Sequence, residues 1–341
     1  MKGNINGIKI CGIASAVPKH VVNNTEHFET MSKREKRQIE LTGIEERRVC
    51  INGQNASDLA AYAGEKLLAK LNWHPNSIRV LIYVTQTSDL VRPGSSLLIQ
   101  SRLGIGKECL IYDINQGCAG FSVGLTTMCS ILSISGGRGL LFVGECASAE
   151  GENIGRHAFL SGDGAAVTAL ESIRGNTRFL YSHYSDGNRA NLLFARHDGY
   201  EYMDGNAILL FAISEVADGV KQFLAENEMS YDDVDFFVFH QAQKMIVEGI
   251  VQTIKIPEEK VLMSCRTLGN TSSASIPITI SKEFCERKVQ GKKKLVICGF
   301  GIGLSWGVNY IELEAENVLP LMETDYVYDD KQLFMTKENQ E

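Results

Sequence analysis

The sequence predicts an α/β protein made of two related halves, and three observations carry that reading. Short β-branched apolar runs alternate with longer stretches of helical spacing, as in sheets covered on both faces. One pattern repeats: a helix followed by Ile78–Val84 recurs as a helix followed by Val234–His240, 156 residues later, and Leu140-Leu141-Phe142-Val143-Gly144 recurs as Leu295-Val296-Ile297-Cys298-Gly299, 155 residues later. The chain of 341 residues, 44% hydrophobic and 22% charged, is long enough for two substantial cores.

In order, Ile8–Ile13 reads as a strand ending in the loop Ser15-Ala16-Val17-Pro18. Glu26 to Glu40 is polar, and its run Lys33-Arg34-Glu35-Lys36-Arg37 reads as a solvated helix face, with docking of an acidic partner the competing reading. Leu41–Val49 is a turn leading into a strand, and Ser57 starts a helix running to about Leu71. Ile78–Val84 is a buried strand, Ser95–Leu103 a helix, and Leu110–Ile114 another buried strand. Gln116-Gly117 then turns into a helix from Ala119, and Gly139–Cys146 is a further apolar strand. The expected boundaries are a first half over 1–172, a second over 173–318, and a peripheral polar tail over 319–341.

Cys118 falls where the strand becomes the helix. Free N–H groups and the helix dipole favour an anion at such a place, so its thiol is expected to have a lowered pKa. An inert buried cysteine fits the same stretch. Functional groups of α/β sheets gather beyond the carboxyl ends of strands. In the second half those ends carry His240, Asn270 within Gly269-Asn270-Thr271-Ser272, and the loop Gly299-Phe300-Gly301-Ile302-Gly303. The loop lacks dinucleotide spacing and leads into a strand, whereas its N–H groups could face an oxyanion.

A net charge of −7 without an arginine-rich patch argues against nucleic-acid binding. No apolar run approaches membrane-spanning length. Nine cysteines without Cys-x-x-Cys suggest neither a disulfide framework nor a zinc site, so a reducing, cytoplasmic setting is expected.

Together these stretches resemble the β-ketoacyl-acyl-carrier-protein synthase III group of the thiolase superfamily, over roughly residues 8 to 315. The resemblance rests on Thr42-Gly43-Ile44-x-Glu46-Arg47-Arg48, Asp113-Ile114-Asn115-x-x-Cys118-x-Gly120-Phe121, Gly162-Asp163-Gly164-Ala165, Met203-Asp204-Gly205 and His240-Gln241-Ala242. Ile256-Pro257-x-Glu259-Lys260-Val261, Gly269-Asn270-Thr271-Ser272-x-Ala274-Ser275-Ile276-Pro277 and Gly299-Phe300-Gly301 follow in family order. It implies duplicated halves in a five-layered αβαβα core, a Cys118–His240–Asn270 triad, and an oxyanion hole from the N–H groups of Cys118 and Ile302. It further implies an acyltransferase that takes an acyl group from a thioester onto Cys118 and condenses it, with decarboxylation, onto malonyl-acyl carrier protein. No cofactor is expected beyond these substrates, acyl-CoA or acyl-carrier protein and malonyl-carrier protein. The expected partners are an acyl carrier protein and a second copy in a homodimer.

Departures from the family pattern bear on the substrate. Aligned back from Thr42, the positions of a coenzyme-A-contacting Trp and Arg hold Arg37 and Leu41. The His-Gln-Ala-Asn pattern ends in Gln243, and the basic docking residue falls on Met245 with Lys244 one position earlier. Arg156 sits near the place of a nucleotide-contacting Arg, Arg92 replaces an aromatic before Pro93 on the pocket-closing segment, and Ile302 replaces a glycine. Phe121, Met203, Ser272 and Gly301 are the remaining expected pocket positions. These changes suggest a specialised lipid or secondary-metabolite synthase, outside housekeeping fatty-acid biosynthesis, with a donor that arrives on carrier protein. An acyltransferase of the same fold without decarboxylation, and a silent partner subunit, are the competing readings.

Overall fold

The computed structural model describes residues 1–26, 28–149, 159–198, 200–330 and 333. In chain order the first half contains β1 (Lys2–Asn6), β2 (Ile8–Val17), β3 (Val21–Asn23), α1 (Lys33–Thr42), β4 (Glu46–Arg48), α2 (Ala56–Leu71), β5 (Ile78–Val84), α3 (Ser95–Leu103), β6 (Leu110–Ile114), α4 (Gly120–Ser135), β7 (Arg138–Glu145) and β8 (Gly164–Ser172). The second contains β9 (Arg178–Ser185), β10 (Leu193–Ala195), β11 (Glu201–Met203), α5 (Gly205–Phe211), α6 (Ala217–Glu226), β12 (Phe236–Phe239), α7 (Lys244–Ile254), β13 (Val261–Leu262), α8 (Cys265–Leu268), α9 (Ser275–Glu286), β14 (Lys292–Gly301) and β15 (Ser305–Glu314). A short β16 (Met322–Glu323) follows.

Two six-stranded sheets result, ordered β16-β2-β8-β7-β5-β6 and β1-β9-β15-β14-β12-β13. The predicted repeat is therefore a repeat of topology: β7 beside β5 in one sheet matches β14 beside β12 in the other, each pair parallel. Parallel neighbours need covered crossovers, which explains the continuous apolar strands. The terminal strands trade places, β1 pairing with β9 of the second sheet and β16 with β2 of the first.

Three apolar cores fill the spaces between layers. Leu59, Ala63 and Leu67 of α2 and Ile99 of α3 pack on one face of the first sheet. Phe121, Leu125 and Met128 of α4 and Ile276, Ile278 and Ile280 of α9 fill the middle, between both sheets. Phe211 of α5, Val220 and Phe223 of α6 and Val247 and Ile250 of α7 cover the outer face of the second. Helices, sheet, helices, sheet, helices make the expected five-layered thiolase-like αβαβα arrangement. Fully burying a side chain of this size contributes about 1.5–3 kcal/mol, so these layers supply most of the driving force for assembly.

Three expectations need correcting. Leu110–Ile114 is a strand at the predicted residues, but it is the edge of its sheet and Leu110 is 53% exposed. An apolar run does not by itself distinguish a central strand from an edge. Cys50 and Cys146, 96 residues apart, form a disulfide with Cα atoms 6.5 Å apart. Such a pairing carries no spacing signature, because the ends of β4 and β7 meet only in three dimensions. The tail is not peripheral as far as Asp330: the Arg102 guanidinium, 5% exposed, pairs with Asp330, and the Tyr328 N–H donates to Asp58. No helix among the described residues is long and apolar enough to cross a membrane.

Candidate active site

Cys118 occupies the turn between β6 and α4, and three segments of the second half converge on it. The turn after β14 comes closest. Gly301 adopts φ +152°, and a Cβ there would lie 2.8 Å from Cys118 Cβ and 3.0 Å from its Sγ. Only a residue without a side chain fits this approach. The N–H of Ile302 hydrogen-bonds to the Cys118 sulfur. The turn itself is braced by Gln116, whose Nε2 donates to Ser305 Oγ at 2.7 Å, while that hydroxyl donates to the Ile302 carbonyl at 2.8 Å.

The segment before α9 supplies Ser272, whose Oγ is 3.9 Å from Cys118 Sγ. Burial pushes the Cys118 thiol up from its ordinary value, while the Ser272 hydroxyl, the Ile302 N–H and its own N–H oppose that rise. The expectation of a lowered pKa is therefore overturned: desolvation of the thiolate outweighs its hydrogen bonds. Asn270 is pinned by its backbone, its N–H donating to the Leu160 carbonyl at 2.8 Å and its carbonyl accepting from Gly162 N–H at 3.0 Å. Its Oδ1 accepts from Ser272 N–H at 2.9 Å. The amide group is thus oriented with Oδ1 engaged and the Nδ2 donors without a partner among the described residues.

His240 follows β12 and is 1% exposed. Its Nδ1 lies 2.8 Å from Ser275 Oγ, and its ring meets the Phe300 ring edge-on with centroids 5.4 Å apart. Ser275 Oγ also accepts from Gln241 N–H at 3.3 Å, which fixes the hydroxyl beside the imidazole. Burial lowers the His240 pKa to about 4, against a hydrogen bond with the Ser272 backbone, so the ring is neutral at neutral pH. The three chemical groups are linked through one short segment: Ser272 touches the sulfur, is held by Asn270, and borders His240.

The remaining predicted positions are spread wider. Phe121 is fully buried in the central core, one residue into α4. Met203 ends β11 and is packed against the outer core. Gln243 is the N-cap residue of α7. Lys244 begins that helix, reaches to 3.7 Å from Glu248, and covers Gly43 at the end of α1. Arg37 and Leu41 lie exposed on α1, Leu41 at 39%. Arg92 is exposed on the loop between β5 and α3, beside the 99% exposed Val91. Arg156 lies outside the described residues.

Two supporting residues escaped the sequence reading. Ser275 sits inside a quoted motif, but nothing in its spacing shows that it meets His240. Glu145 ends β7 and is 3% exposed, accepting from Gln86 N–H at 3.0 Å and Thr87 Oγ1 at 2.9 Å. A buried carboxylate at a strand end is a signal that could have singled it out.

Residues 112–187 match the family described as 3-Oxoacyl-[acyl-carrier-protein (ACP)] synthase III, and residues 224–313 match its C-terminal part. Among curated proteins, the β-ketoacyl-[acyl-carrier-protein] synthase III of Geobacillus kaustophilus is 30% identical over 88% of this chain and 97% of its own length. The synthase III 1 of Halalkalibacterium halodurans is 33% identical over 87% of this chain and 96% of its own. The crystal structure of a 3-oxoacyl-(acyl-carrier protein) synthase from Burkholderia xenovorans LB400 superimposes with a TM-score of 0.90, at 30% identity, over 95% of this chain and 99% of that one.

Proposed function

The chain belongs to the β-ketoacyl-acyl-carrier-protein synthase III family, a condensing and acyl-transferring enzyme, and from that membership we propose that Cys118, His240 and Asn270 carry a decarboxylative condensation. Cys118 thiolate attacks the carbonyl of a donor thioester, the donor thiol leaves, and the acyl group stays on sulfur. A malonyl thioester on acyl carrier protein enters next and loses its carboxylate as carbon dioxide. The electron pair left behind delocalises onto the thioester oxygen as an enolate. The enolate carbon attacks acyl-Cys118, the C–S bond breaks, and the β-ketoacyl thioester departs as the thiolate is restored.

The observation that supports this reading is that two neutral donor side chains, the His240 imidazole and the Asn270 carboxamide, both border Ser272, whose hydroxyl lies 3.9 Å from Cys118 Sγ. An enolate oxygen is the charge such donors stabilise, whereas transfer to an alcohol or amine forms no enolate. The N–H groups of Cys118 and Ile302 serve the tetrahedral oxyanion of the acyl-transfer steps, and the Ile302 N–H already addresses the sulfur.

We further infer a donor delivered on carrier protein, in a specialised pathway. On α1 an exposed Arg37 and a half-exposed Leu41 stand where the family pattern has a stacking ring and a cation, with Lys244 beside them at the start of α7. A cation-rich face of this kind suits an acidic carrier better than an adenine ring. The homodimer implied by the family fits the exposed β6 edge, which presents unpaired backbone groups for a second copy. The test loads Cys118 from acetyl-coenzyme A and from acetyl-carrier protein and follows the adduct by mass. Faster loading from carrier protein, with carbon dioxide released from malonyl-carrier protein, supports the reading. Faster loading from coenzyme A counts against the donor assignment, and loading without carbon dioxide release against condensation.

A further inference from the structure

Within the loop between β5 and α3, Glu145 holds Gln86 and Thr87, and beyond them the Asp89 N–H donates to Ser95 Oγ at 2.9 Å and bridges the segment 89–95 at its base. Between these two residues the chain projects Val91, 99% exposed, and Arg92. The far side of the base is fixed by Asp113, which accepts from Ser95 N–H at 2.7 Å and Ser96 N–H at 3.0 Å. On the near side stands Asp89, a carboxylate 7% exposed whose Oδ1 has no hydrogen-bond partner among the described residues and whose Oδ2 accepts from Ser57 Oγ at 2.6 Å and lies 4.0 Å from Arg102 Nη2.

Ser57 is in turn set by Arg102, whose Nη1 donates to its hydroxyl at 2.7 Å. Arg102 reaches this position because Asp330 holds the rest of its fork. The carboxylate accepts from Nε at 3.1 Å and from Nη2 at 2.5 Å, while Asp58 lies 3.4 Å from Nη2. The strap carrying Asp330 follows the last residue of the family match and is itself anchored. Gln54 Nε2 donates to the carbonyls of Thr324 and Tyr326, the Tyr328 N–H donates to Asp58, and the Tyr328 ring lies against the Arg102 guanidinium at 5.0 Å.

We propose that Asp330 is a positioning residue for the Arg92 loop, so that the terminal strap helps set which acyl donor the site accepts. The inference rests on the reading of that loop, implied by the family resemblance, as the closure of the partner subunit's acyl pocket in a homodimeric condensing enzyme. Physically, a buried guanidinium must keep its carboxylates. With Asp330 engaged, its carboxylate holds Nε and Nη2, Nη2 stays 4.0 Å from Asp89 Oδ2, and Nη1 is directed at Ser57. Without it, Arg102 turns its freed donors toward the unpaired oxygen of Asp89 and shifts the near side of the base, while Asp113 keeps the far side in place.

The experiment uses the full chain with Asp330→Asn, which keeps shape and removes charge, and Asp330→Ala as a second variant. Two readouts are taken: amide exchange of the peptide spanning 88–96, and KM and kcat for acyl-enzyme formation across donor thioesters of increasing length. Loss of one charge-assisted buried hydrogen bond predicts about tenfold faster exchange in that peptide, with exchange in β5 and α4 unchanged. It also predicts a severalfold change in KM that differs between short and long donors, at a kcat within about twofold of wild type. Wild-type exchange at 88–96 overturns the proposal. So does altered exchange with an unchanged donor profile, or a uniform loss of activity that tracks a lowered Tm. If the exchange change appears in a protein that forms an acyl-enzyme but releases no carbon dioxide from malonyl thioester, the strap's action stands and the condensation reading fails instead.

Discussion

The hydroxyl of Ser272 lies 3.9 Å from the sulfur of Cys118, on a residue held at φ +47° by a hydrogen bond from its N–H to Asn270 Oδ1. One residue in a left-handed conformation thus joins the nucleophile of one half to the carboxamide of the other.

Substitution at this link separates chemistry from backbone cost. Ser272→Ala and Ser272→Gly both remove the hydroxyl that opposes the burial-driven rise of the Cys118 pKa. Both should shift the alkaline rise of Cys118 alkylation by iodoacetamide to higher pH. Glycine accepts the left-handed conformation freely, so it should leave the protein about 1 kcal/mol more stable than alanine does. Equal stability of the two variants would show that φ at this position is not restrained by its surroundings.

His240→Ala and Asn270→Ala should still form the acyl adduct on Cys118 but lose decarboxylation. Removing one donor to a developing oxyanion costs about 10²–10³ in rate. Stopped mass analysis of the adduct, together with carbon dioxide release from malonyl-carrier protein, gives the two rates separately. An Asn270→Ala enzyme that condensed at the wild-type rate would refute the assigned role.

Gly301→Ala should act on the first step. The new methyl group would meet Cys118 Cβ at 2.8 Å and Sγ at 3.0 Å, at a φ that disfavours any side chain. Displacing the sulfur by even 1 Å costs about 10²-fold. Adduct formation should therefore fall by that order while the secondary structure by circular dichroism stays intact. Adduct formation near the wild-type rate would mean that the turn after β14 relaxes away from the sulfur.

The buried histidines make stability depend on pH in one direction. His240 and His183 both have pKa values lowered by burial to about 4, from an ordinary value of 6.5. Below about 6.5 the unfolded chain binds protons that these rings refuse in the folded state, so stability falls as pH drops from there toward 4. Their contribution is complete above 6.5. Replacing His183 by Gln should flatten the slope of Tm against pH in that window without changing Tm at pH 8 by as much. A slope identical to wild type would show that carboxylates alone set the acid limb.

Much of this fold is legible in the linear chain because its strands are continuous apolar runs. Ile78–Val84, Ser95–Leu103 and Leu110–Ile114 form their elements at the expected residues. The strand-end argument points correctly to His240, which follows β12, whereas Asn270 follows the short helix α8 and not a strand, so its place is legible only from the motif around it. Pairings across long separations are not legible this way. Cys50 with Cys146, Asp330 with Arg102, and Ser275 with His240 each join segments whose spacing follows no period.

By itself, then, the sequence determined the layered α/β class, the duplication, and the residue types that bear the chemistry, because periodicity and motif order are properties of neighbours along the chain. The tertiary structure alone decided which way the Cys118 pKa moves, which strand is left as an edge, and what grips Arg102. Those outcomes follow from desolvation and from groups brought within a few ångströms by packing, and neither has a linear signature.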